Sequence, residues 1–225
     1  MEREPDRQEI TAALLDRHGR TYCADLGIAI ERNTPSPLFR WLCASILFST
    51  RISADLAASA VRDLAEHKLT TPRRMADATW AERTKILNRA GYARYDESTS
   101  RMLGDTAARL IEAYGGDLRH LRERAGEDPG AEHKLLQEFK GIGETGAAIF
   151  CREAQEPWPE LHPFADAKAL DAAKNLGLGD DAQALAGLVD QRDFPRLVAA
   201  LIRTSLAKDY DEIAGQASAP NAKAS

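Results

Sequence analysis

The stretch "LLQEFKGIGETGAAIF", residues 135–150, constrains the fold more than any other part of the chain. It sets two runs of helical character on either side of Gly141, Ile142 and Gly143. Glycine tolerates positive φ and carries no side chain. The pair therefore permits a sharp reversal between helices and lets the loop approach another backbone closely. Ile142, between them, is expected to point inward and pin the turn to the core. The second helix should begin near Glu144 or Thr145. Its first N–H groups lack intrahelical partners and its dipole is positive there, which suits a phosphate oxygen. Glycine also serves ordinary turns between packed helices, so the turn alone leaves both readings open.

The remaining sequence is patterned for helix. Leu38, Trp41, Leu42 and Ile46 follow helical spacing, as do Leu103, Ala107, Leu110 and Ile111, and later Leu197, Val198, Leu201 and Ile202. Gly/Pro punctuation separates the runs at "NTPSP", "TTPRR", "YGGD", "GEDPG", "EPWPELHP" and "LGLGD". No alternating strand pattern and no repeat stand out. The expectation is an all-α fold of about ten short helices. The end, residues 216–225, is small and polar and is expected to be a disordered tail.

With 225 residues and 44% hydrophobic content, the chain can bury one large core or two lobes. The net charge of −5 does not advertise nucleic acid, so any DNA contact would need a local basic surface. No apolar run approaches the roughly 20 residues of a membrane span. The start, "MEREPDRQEI", lacks the apolar stretch of a secretory signal. Cys23, Cys43 and Cys151 have no paired spacing and read as buried free thiols of a reducing cytoplasm. The five histidines show no metal spacing.

The hairpin stretch resembles that of the helix-hairpin-helix (HhH-GPD) DNA glycosylases, the endonuclease III superfamily. In that family the turn is followed, about twenty residues later, by a catalytic Asp at a helix start; "HPFADAKAL" offers Asp166 in that setting. "SPLFRWLCASILFSTRISADLAASAVRDL" is similar to the family's early helix, turn and helix. "AGYARYDESTSRMLGDTAARLIEAYGGDL" is similar to its middle segment. The ordered likeness runs from about residue 35 to 205. It implies a two-lobed fold. Residues 36–155 would form a helical barrel lobe, with the helix-hairpin-helix at about 132–155, and residues 1–35 plus 156–215 the second lobe. It implies monofunctional base-excision hydrolysis of an N-glycosidic bond in double-stranded DNA, by a cytoplasmic monomer that is nucleoid-associated if bacterial. Bifunctional members carry a lysine after the hairpin; here that position is Thr145, which cannot form a Schiff base. The terminal cysteines that bind an iron–sulfur cluster in many members have no counterpart after Cys151. The resemblance admits a monovalent cation at the hairpin.

The resemblance assigns roles residue by residue, each beside a structural alternative. Asp166 would stabilise the sugar cation or orient water, but an N-capping Asp looks the same in sequence; Asp171 is the fallback. Lys140, Gly141, Ile142, Gly143 and Thr145 would hold the DNA backbone. Lys168 would touch a phosphate or act as a displaced amine; it also reads as an ordinary surface lysine. Arg51 would fill the gap left by a flipped base, or cap its turn. Tyr92 or Tyr95, beside Arg94, would line a base pocket, or pack in a turn. Two rival functions remain: a DNA-binding relative without catalysis, and a helical protein-interaction module.

Overall fold

The computed structural model describes residues 5–92 and 95–218, and every regular element among them is helical. Rather than about ten helices, the described residues form fourteen α-helical segments. The first five are α1 (Arg7–His18), α2 (Tyr22–Asp25), α3 (Pro35–Phe48), α4 (Ala54–Glu66) and α5 (Pro72–Asp77). Then come α6 (Trp80–Arg89), α7 (Asp96–Tyr114), α8 (Leu118–Ala125), α9 (Pro129–Gln137) and α10 (Glu144–Ala154). The last are α11 (Ala167–Asn175), α12 (Ala182–Ala186), α13 (Phe194–Ala207) and α14 (Tyr210–Ser218). Residues 216–218, expected in a disordered tail, are the last turn of α14; the pairing of Ile213 with the Asp209 carbonyl starts that helix and buries its apolar side.

Most helices begin on a side chain that accepts from the first free N–H groups. Asp6 and Thr79 form reciprocal capping boxes with Glu9 and Glu82. Ser53, Thr71, Asp117, Asp128, Asp166 and Asp181 cap α4, α5, α8, α9, α11 and α12. Prolines occupy the first turns of α3, α5, α9 and α13, where no N–H is needed. The start of α10 is different: Gly143 stands at its N-cap and supplies no side chain.

The chain forms two compact units. One is Cys23–Leu161. Its centre is α3, whose Leu38, Phe39, Trp41, Leu42 and Ile46 are fully buried. α3 packs against α4, α7, α8 and α10. The Trp41 indole donates to the Phe150 carbonyl at 3.0 Å, tying α3 to α10. Trp158 is buried against Phe150 and donates to Asn33 at 3.1 Å. Arg83 is buried too, and its guanidinium donates to the carbonyls of Ser100, Met75 and Ala78. The other unit joins the chain up to Tyr22 to the chain from His162 onward. There α13 packs on α1 and α11, through Leu197, Val198 and Leu201 against Leu14, Ala169, Ala172 and Ala173.

One buried charge cluster fixes α9. Glu132 lies completely buried in that helix, with no donor reaching either carboxylate oxygen. Its polar neighbours are the Glu160 carboxylate and Arg122. Arg122 of α8 grips Glu160 with two donors. Burial, then the adjacent Glu160 carboxylate, push Glu132 well above the usual carboxylate range. Burial works against ionised Glu160 as well, but hydrogen bonds from Arg122 outweigh it and hold its pKa low. A proton on Glu132, donated to Glu160, satisfies both groups. Glu132 thus binds its proton more tightly folded than unfolded, and its contribution to stability is full at acid pH and lost as pH rises through its folded value. Glutamine keeps a donor without the charge. Glu132→Gln should leave thermal stability near pH 5 almost unchanged and raise it at pH 8.5, by about 1–3 kcal/mol; a melting curve shifted equally at both pH values would contradict the assignment.

Candidate nucleic-acid interface

The turn between α9 and α10 is built by opposite demands at its two glycines. Gly141 has φ +92, a conformation that side chains rarely adopt. A Cβ there would lie 2.8 Å from the Met102 sulfur and 3.1 Å from Met102 Cβ, on α7. Gly141 therefore serves both the reversal and a close approach to a neighbouring helix. Gly143 has φ −92 and ψ −167, extended backbone open to any residue, and a Cβ there would meet nothing within 4 Å. Space, not strain, is what Gly143 leaves. Between them Ile142 is buried, 3% exposed, and its N–H donates to the Phe139 carbonyl at 3.0 Å. The Lys140 carbonyl accepts from Thr106 Oγ1 of α7 at 3.1 Å. The turn is thus pinned from below, at Ile142, Met102 and Thr106.

Above it, the start of α10 is open. Ala147 N–H bonds to the Gly143 carbonyl at 2.9 Å, while the earlier N–H groups of the helix receive no capping side chain. Thr145 is exposed in this first turn. Glu144, also in this turn, is drawn aside: it accepts from Gln137 Nε2 at 2.9 Å and lies 3.5 Å from His133 Nε2. Lys140 is exposed but paired with Asp105 of α7 at 2.9 Å. Gly146 brings in the end of α3: a Cβ on it would be 3.7 Å from Ser49 Oγ. Arg51, two residues beyond Ser49, is exposed in the α3–α4 turn and makes no hydrogen bond or ion pair among the described residues. Lys140, Gly141, Ile142, Gly143 and Thr145 thus stand together, and the turn that carries Arg51 adjoins their helix.

Tyr92 does not line an opening. It is 1% exposed, its hydroxyl reaches toward the Leu47 carbonyl at 3.5 Å, and burial pushes its phenol above the ordinary value. It is core, because the chain after α6 turns inward at Gly91 against Leu56. Tyr95 is partly exposed at the N-cap of α7. Arg94 lies outside the described residues. In the other unit, Asp166 caps α11, accepting from Ala169 N–H at 3.2 Å, and is partly exposed. Lys168 and Asp171 are exposed on the same helix. His162 packs edge-on against Phe194, with ring centroids 5.0 Å apart, and burial lowers its pKa. That is a packing role.

Met102, Asp105, Thr106 and Ser49 hold the hairpin, and none was singled out by sequence pattern. They come from α7 and the end of α3, brought to the turn only by tertiary folding. Among the described residues, no group of three His, Cys, Asp or Glu side chains is arranged to hold a metal, and no helix is long and apolar enough to cross a membrane.

No protein-family model matches the chain, and no curated protein matches it by sequence. Solved structures do. The structure of H. pylori 3-methyladenine DNA glycosylase (MagIII) bound to 1,N6-ethenoadenine matches with a TM-score of 0.57 at 13% identity, over 90% of this chain and 98% of that one. A non-covalent endonuclease III–DNA complex matches with a TM-score of 0.50 at 19% identity, over 76% of this chain and 72% of that one. The all-α fold of the chain is the fold of these helix-hairpin-helix glycosylases.

The two glycines should respond differently to substitution. Gly141→Ala forces a side chain into left-handed backbone and against Met102, and should cost about 1–3 kcal/mol. Gly143→Ala should change stability by less than about 0.5 kcal/mol. Equal melting temperatures for the two variants would refute this division of labour.

Proposed function

We propose that the protein is a DNA glycosylase, which removes a damaged or mismatched base from double-stranded DNA by hydrolysis and leaves the strand intact. The observation that carries this reading is the uncapped start of α10, with open space above Gly143, in a fold matched along nearly its whole length by a glycosylase bound to a modified adenine. Backbone N–H groups at a helix N-terminus bind phosphate oxygens without reading sequence. Gly141 and Ile142 set that geometry, Thr145 and Lys168 add contacts, and Lys140 contributes by leaving Asp105. Arg51, exposed and without a partner among the described residues, enters the stack when the base leaves it. The monomer needs no iron–sulfur cluster for this, and the hairpin carbonyls could accept a monovalent cation.

Breaking an N-glycosidic bond develops positive charge on the sugar. The Asp166 carboxylate stabilises that charge or orients the attacking water. Thr145 offers no amine, so no covalent enzyme–sugar adduct forms at that position. A DNA-binding protein without catalysis is the second reading, favoured by the hydrogen bond that Asp166 spends on capping α11.

Duplex binding separates the hairpin from a mere packing turn. Gly143→Val should keep the fold and weaken binding to several unrelated duplexes alike, by about tenfold, since phosphate contacts carry no sequence information; unchanged affinity in the folded variant would return the turn to packing.

Asparagine caps a helix as well as aspartate does. Asp166→Asn should therefore retain stability and DNA binding while base release falls by about two orders of magnitude or more. The assay is release over a panel of modified duplexes, with strand breaks appearing only after alkali and no borohydride-trapped adduct. Undiminished release by the variant would leave Asp166 a cap, and a trapped adduct would point to Lys168 or Lys140 as the nucleophile.

A further inference from the structure

A concave site lies within the Cys23–Leu161 unit, in a groove of about 560 Å³ between the end of α4, α5 and α6. That volume is in the range of pockets that hold small-molecule ligands. Leu69, Ala78 and Ile86 give it an apolar wall. Lys68, Arg74, Lys85 and Arg89 also line it. All four are exposed, and none makes an ion pair or side-chain hydrogen bond among the described residues. On α6, Lys85, Ile86 and Arg89 share one face, at spacings of three and four residues. Cations and apolar surface are therefore interleaved along one wall.

The acidic groups of the groove are fewer and partly engaged. Glu82 accepts from Thr79 N–H at 2.7 Å and from the Thr79 hydroxyl at 2.8 Å, as the cap of α6. Asp77 is the other. His67, also in the lining, is held by its Nδ1 to the Asp63 carbonyl at 2.8 Å. Four cations without partners among the described residues, set around one concave site, concentrate positive potential there even though the chain's net charge is −5. Arginine and lysine side chains so placed bind phosphate oxygens by charge-assisted hydrogen bonds. An inorganic anion would leave the Leu69, Ala78 and Ile86 wall unused; a planar base or a sugar would cover it.

We propose that this groove binds a nucleoside di- or triphosphate, its phosphates on Lys68, Arg74, Lys85 and Arg89 and its nucleoside on the apolar wall. This site is distinct from the hairpin and does not depend on the glycosylase reading.

The test is calorimetric titration of the full chain with ADP and GDP, with pyrophosphate and adenosine as separate arms. The nucleotides should bind saturably, more tightly than either part alone, and more weakly as salt is raised. The double variant Lys85→Gln/Arg89→Gln, confirmed folded by its melting temperature, should lose about tenfold or more in nucleotide affinity. Asp77→Asn should tighten binding by removing a repulsive charge, and Gly143→Val should leave it unchanged. Absence of saturable binding by both nucleotides at millimolar concentration would overturn the proposal. Pyrophosphate binding as tightly as ADP would overturn the nucleoside assignment. A double variant that loses duplex affinity while keeping nucleotide affinity would reassign these cations to a DNA surface.

Discussion

Everything proposed for the hairpin depends on how closely its backbone approaches α7. At Gly141 the chain turns through left-handed backbone with the Met102 sulfur filling the place of a side chain. A residue with a Cβ would lift the turn off α7, and with it the Lys140 carbonyl from Thr106. The direction in which α10 starts is set by that seat. So is the approach of its first turn to Ser49 and the α3–α4 turn. Packing below, rather than any polar group above, orients the uncapped N–H groups.

Charge at the hairpin is arranged with unusual economy. Lys140 is paired with Asp105, and Glu144 is turned toward Gln137 and His133. What faces outward is therefore mostly dipolar: backbone amides at the head of a helix. Exposed ion pairs of this kind contribute little to stability and exchange readily. The acidic total of the chain is compatible with such a grip, because a net charge says nothing of where the local potential lies.

Much of this architecture was legible in the sequence, because its signals are local. Gly141-Ile142-Gly143 marked the reversal, and the apolar Ile142 between the glycines marked the side chain that pins it to the core. Gly/Pro punctuation marked the breaks between runs, and Pro35, Pro72 and Pro129 in those breaks open the helices that follow. What escaped was tertiary. Met102 lies beside the apolar stripe of α7, and nothing near it in sequence says that a glycine will rest on its sulfur. Tyr92 looked like a pocket residue because it follows a glycine beside other aromatics and arginines, but the turn carries it into the core. Glu132 stands in the polar run "PGAEHKLLQ", where a carboxylate ought to face water; it is buried because α8 and the 159–161 segment close over it. Asp166 shows the limit most plainly, since a cap and a catalytic carboxylate have the same sequence and nearly the same local geometry.

The seat of the hairpin also has a redox side. All three cysteines are buried, and burial raises each thiol above its ordinary value, so little reactive thiolate is available to oxidants. Met102 is partly exposed, and a thioether needs no deprotonation to be oxidised. Conversion to the sulfoxide would add a polar oxygen to the atom that lies where a Cβ of Gly141 would stand. The sulfur that lets the chain turn so tightly is thus the point at which an oxidant would pry the turn loose, and a methionine sulfoxide reductase could set it back.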